Sequence, residues 1–117
     1  MSDSHPIEDQ VVLLAGARAS VPLHRLSELL PRVHAHVSER RERYDRQFER
    51  VDAGDTVYYL AGDDHWAAVA DDLGLTEREV GAVQRTHEKQ FLRDGRRLDR
   101  TGEFEAALDI RQPVVVE

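Results

Sequence analysis

Apolar residues recur every three, four or seven positions along most of this chain, the interval that lines up one face of an α-helix. Val11, Leu14 and Ala15 share such a face, Pro6 suits a helix start, and Glu8 and Asp9 lie near the positive end of the dipole; together they predict a helix over 7–17. Ser20 and Pro22 open a longer stripe made of Leu23, Leu26, Leu30, Val33, Val37, Tyr44, Phe48 and Val51. Pro31 interrupts it. A proline deletes one backbone hydrogen bond and collides with the carbonyl four residues back, which predicts a kink, or two helices meeting at Leu30, the second running as a spine to about Val51.

Opposite charges crowd residues 39–50. Glu39 with Arg43 and Glu42 with Arg46 stand at the favourable four-residue spacing, so this face reads as solvated and ion-paired rather than as a nucleic-acid patch. A stripe this long exceeds what a small domain covers internally, and a homodimer through this helix is the expectation. Ala53-Gly54-Asp55 then breaks the helix. Thr56-Val57-Tyr58-Tyr59-Leu60 is β-branched and aromatic and predicts a strand; Val114-Val115-Val116, after Pro113, is the other candidate, and the two can pair within the chain or across a dimer. A two-stranded ribbon is marginal in water, so it must lie on helices.

Residues 63–93 have a more particular shape. Asp63 or Asp64 is placed to cap a helix, Gly74 to end it in the left-handed conformation, and Thr76 with Glu79 to form a capping box for the next. Ala70, Gly74 and Val80 have the spacing of a small residue at a helix crossing, a turn glycine and the apolar residue that returns to the crossing, while Val69, Leu73, Leu75 and Val83 fill the accompanying apolar positions. Over about twenty residues the segment resembles the helix-turn-helix of transcription regulators. That resemblance implies a second helix that presents Thr76, Arg78, Gly81, Ala82, Gln84 and Arg85 to DNA bases, with Arg93 in a basic stretch (Lys89, Arg93, Arg96, Arg97, Arg100) resting on the phosphate backbone. Glu77, Glu79 and Glu88 oppose it by repelling phosphates. Helical hairpins with the same packing also occur in proteins that never touch nucleic acid.

Of 117 residues, 23 are acids and 16 are bases, giving a net charge of −7, and every base except Lys89 is arginine. Near-equal aspartate and glutamate, many valines, only Ile7 and Ile110 as isoleucines, and almost no lysine suggest a salt-adapted surface, on which dense carboxylates keep the protein hydrated while molar salt screens their repulsion to within about 3 Å. With this composition, the segment Phe104-Glu105-Ala106-Ala107-Leu108-Asp109-Ile110-Arg111, the His65-Trp66 pair and the turn at Gly74 resemble a family of small acidic haloarchaeal proteins of unknown function. The resemblance implies a halophilic cytoplasmic protein and no particular activity. Residues 1–10 lack the pattern of a secretory leader, and the longest apolar run, 11–15, is too short to span a bilayer.

Chemistry is sparse. With no cysteine, thiolate sites and disulfides are excluded. His34 and His36, two apart, would lie about 200° from one another around a helix and cannot act as a ligand pair. Asp63, Asp64 and His65 are better explained by capping than by a cation. No phosphate loop, serine elbow or zinc-protease helix occurs. The expectation is therefore one domain over 1–117, mainly α, a bundle of four to five helices with a helix-turn-helix-like hairpin and at most a minor two-stranded β element. It is expected to have no catalytic residue, metal or cofactor, and to bind DNA or assist a regulator as a dimer. The rival is a homo-oligomeric protein-interaction module with no nucleic-acid role.

Overall fold

The computed structural model describes residues 5–18 and 21–116. Ser20, expected to help open the second helix, lies outside the described residues. The elements run α1 (Asp9–Arg18), α2 (Leu23–Glu39), α3 (Arg41–Gln47), β1 (Glu49–Ala53), β2 (Thr56–Ala61), α4 (His65–Leu73), α5 (Glu77–Arg97), α6 (Thr101–Leu108) and β3 (Gln112–Val115). The architecture is mainly helical as expected, with two corrections: among the described residues there are six helices rather than four or five, and the sheet is three-stranded and antiparallel in the order β1-β2-β3.

β2 and β3 are the two anticipated strands and they pair within the chain, Tyr59 opposite Val114. β1 is the addition, formed from residues the apolar stripe assigns to the end of the spine. Glu49-Arg50-Val51-Asp52-Ala53 has little intrinsic strand preference. Gly54 at φ 64° and Asp55 turn the chain back so that Ala53 faces Thr56 and Glu49 faces Leu60, and pairing with a strongly β-forming neighbour overrides the local preference.

The spine is also divided elsewhere than expected. α2 runs through Pro31 without ending; Ser27, whose carbonyl loses its helical donor to the proline, faces solvent that can hydrate it. The break falls at Arg40, φ −108°, whose N–H bonds the Val37 carbonyl at 3.0 Å. Glu39 and Arg43 therefore straddle two helices, and the acid lies 3.7 Å from Arg40 instead.

The central helix is α5, which packs against α1, α2, α4, α6 and β3. Both faces of β2 are covered: the Tyr58 ring meets Phe91 of α5 at 4.9 Å, and the Tyr59 ring lies 6.1 Å from Tyr44 of α3. Phe104 of α6 stacks on Phe91 at 4.3 Å. Gly95 permits this approach, since a Cβ there would stand 2.9 Å from the Phe104 ring. Val83, Leu26, Leu30, Val33 and Val37 are buried on the faces their spacing predicts, with Trp66 beside them, while Leu73, Val80 and Phe48 are only partly covered.

Two polar devices close the fold. Ladder alternation turns the backbones of Pro113 and Val115 away from β2; the proline has no N–H to leave exposed, and the Val115 N–H donates to His87 Nδ1 of α5 at 3.0 Å. At the other end Glu8 ties the chain before α1 to α5. Its carboxylate accepts two hydrogen bonds from Arg97 at 2.7 Å and one from Gln90 at 2.7 Å, and its N–H donates to Gln90 Oε1. Among the described residues no helix is long and apolar enough to cross a membrane.

Candidate functional site

The turn between α4 and α5 is built as its residues predict, whereas the side-chain cap expected of Asp63 or Asp64 at the start of α4 is absent. Gly74 ends α4 at φ 68°, with its N–H bonded to the Ala70 carbonyl, which also accepts from the Leu75 N–H at 2.9 Å. Thr76 opens α5 with both arms of the capping box, Glu79 N–H to Thr76 Oγ1 at 3.1 Å and Thr76 N–H to Glu79 Oε1 at 3.0 Å. Asp64 occupies the cap position of α4 without a side-chain capping bond.

What surrounds the hairpin departs from a free-standing reader. α2 grips its turn, with Arg25 Nε donating to Glu79 at 2.7 Å and Arg32 to the Leu73 carbonyl at 3.0 Å. The Arg25 guanidinium and the capping bond to Thr76 hold the Glu79 carboxyl below its ordinary range, the backbone bond being the larger cause. On the other flank α1 lies along α5: Arg85 reaches the Arg18 carbonyl at 3.5 Å, and Arg93 reaches Gln10 at 3.3 Å and Glu8 at 3.5 Å.

The seven predicted DNA-contact residues are thus sorted into three groups. Thr76, Arg78 and Arg85 are exposed. Gly81, Gln84 and Arg93 are half-buried, Gln84 donating to Glu88 at 3.1 Å and Arg93 engaged by the α1 side. Ala82, expected on the exposed face, is 2% exposed and belongs to the core. Arg78 and Arg85 continue into Lys89 and Arg96 at helical spacing and form one outer ridge; six of the 16 bases but only four of the 23 acids lie within Glu77–Arg97. Three of those acids are already engaged, Glu79 by Arg25, Glu88 by Gln84 and Asp94 by the buried Tyr58 hydroxyl.

Beside this ridge is apolar surface that the periodicity does not reveal. Leu14, expected to be buried with Val11 and Ala15, is 51% exposed, and Leu13 is 54% exposed. In Val11-Val12-Leu13-Leu14-Ala15 five consecutive apolar residues cannot share one face. Val11, Val12 and Ala15 take the core and the leucines face outward. Leu14 and Val11 form, with Leu92, the floor of a shallow groove of about 100 Å³ between α1 and α5, rimmed by Lys89, Arg93 and Arg96.

Three histidines are buried and each has its own polar partner, His65 and His87 both packing on Trp66. His36 lies 3.3 Å from Asp72, the Tyr44 hydroxyl meets His65 Nε2 at 2.5 Å, and His87 caps β3. Burial holds His87 down to about 3 and His65 down to about 4, and pushes Tyr44 up to about 12, so all three stay neutral over the ordinary pH range. Among the described residues no group of three or more His, Asp or Glu is arranged to hold a metal ion.

Residues 5–117 match the family described as Domain of unknown function (DUF8048), and the chain belongs to that family. No curated protein and no solved structure matches it.

Proposed function

We propose that this is a non-catalytic docking module that receives an acidic amphipathic segment of a partner protein along the groove between α1 and α5. The observation that carries this reading is the juxtaposition of an apolar floor, Val11, Leu14 and Leu92, with the basic rim of Lys89, Arg93 and Arg96 on a chain whose net charge is −7. Phosphate backbones make no use of exposed leucines, whereas an amphipathic helix with apolar anchors and flanking carboxylates uses both features. The same charges work against self-association through this face, since a two-fold contact would set ridge against ridge. A homodimer, if formed, uses another surface.

Duplex DNA is the second reading, supported by the Gly74 turn and by Arg78 and Arg85 on the ridge that Lys89 and Arg96 continue. The two are separated by fluorescence anisotropy in molar potassium chloride and in dilute salt. One probe is a labelled Leu/Glu amphipathic peptide of about five turns, the other a duplex of about two helical turns. Docking of a partner segment predicts saturable peptide binding that Leu14→Ser weakens by roughly 1 to 3 kcal/mol. DNA binding that Arg78→Ala and Arg85→Ala weaken and Leu14→Ser leaves intact, with no peptide binding, overturns the proposal in favour of a nucleic-acid role.

A further inference from the structure

We propose that a second site, the open cavity between α2, α3 and α4, binds a small zwitterion of the amino-acid type, its carboxylate toward Arg40 and Arg43 and its ammonium toward Asp64 and Asp72. The cavity measures about 170 Å³, space for roughly five waters and so for a small amino acid. Its two sides differ in sign. Arg40 and Arg43 come from the α2-α3 junction and α3, whereas Asp64 and Asp72 come from the two ends of α4. Among the described residues no ion pair joins either arginine to either aspartate, although all four line the same space. Arg40 already has Glu39 at 3.7 Å and Asp72 has His36 at 3.3 Å, while Arg43 and Asp64 have no ion-pair partner among the described residues; a ligand carrying one charge of each sign complements both sides, where a simple anion or cation would meet one attraction and one repulsion.

The remaining polar lining is neutral. Tyr44 and His65 are 4% and 7% exposed and are hydrogen-bonded to each other, so they present a fixed, uncharged wall between the two charged sides. Access is open, because His36, Arg40 and Asp72 also line a wider surface groove that continues past Arg32 and Glu39.

The test uses the full chain with its histidine imidazoles followed by NMR during titration with L-alanine, then with acetate and with methylammonium as its singly charged halves. The expected result is a saturable shift at His65 and His36 and none at the exposed His24, with each half binding at least tenfold more weakly. Arg43→Gln and Asp72→Asn alter exposed side chains that the core does not need, and each is expected to weaken alanine binding about tenfold. Absence of a saturable shift overturns the proposal. So does acetate binding as tightly as alanine, which makes the cavity an anion site, or unaltered binding in both variants.

Discussion

The two sides of α5 carry similar residue types to different ends. On the inner side polar groups are committed to the fold: the Tyr58 hydroxyl donates to Asp94 at 2.5 Å, the Gln90 amide serves Glu8, and His87 caps β3. On the outer side Arg78, Lys89 and Arg96 have no ion-pair partner among the described residues, and the exposed Leu14 lies in the groove that Lys89 and Arg96 rim. Inner residues are explained by stability. The outer ones contribute little to it, and it is this difference, rather than charge or a motif alone, on which the proposed docking surface rests.

The contrast can be broken most severely on the inner side. Phe104→Ala removes the ring stacked on Phe91 and is expected to cost about 3 to 5 kcal/mol, read as a fall in the denaturant midpoint; a cost comparable with a surface change would show that α6 is not part of the core. Tyr58→Phe keeps the packing and deletes one hydroxyl, leaving Asp94 with Gln90 at 3.3 Å and Arg97 at 3.6 Å; about 1 to 3 kcal/mol is expected.

Acid probes the same interior. His87 and His65 bind protons in the unfolded chain near 6.5 but in the folded chain only near 3 and 4, so the unfolded state is the better proton acceptor between these limits. Their contribution is complete above 6.5 and declines as pH falls below it. In molar salt, which screens the acidic surface, the unfolding midpoint should stay level above pH 7 and fall between 6.5 and about 5, before most carboxylates titrate. Unchanged stability across that interval contradicts the burial of neutral imidazoles.

The smallest effects belong outside. Lys89→Ala and Arg96→Ala should each change stability by no more than about 0.5 kcal/mol while weakening capture of an acidic segment, and a larger loss of stability would move these residues to the inner class.

Much of this division is readable from residues whose local chemistry has one solution. Gly74, Thr76 and Glu79 fix the α4-α5 turn because left-handed backbone and capping are local requirements, and the aromatic run of β2 announces a strand. The rest depends on distant neighbours. Glu49 to Ala53 becomes a strand only because β2 is beside it, Pro31 is tolerated because Ser27 meets water, and Ala82 disappears beneath packing that no helical spacing specifies. The groove was half visible, since its bases follow helical intervals, but the outward leucines required knowing which side of α1 the core takes.

The most direct test is to map the amphipathic peptide's footprint by backbone amide shifts. Docking between α1 and α5 predicts the largest changes at Leu14, Lys89, Leu92 and Arg96, with Gly74 and the sheet unmoved. Changes centred on the Gly74 turn, or none at saturating peptide, would contradict it.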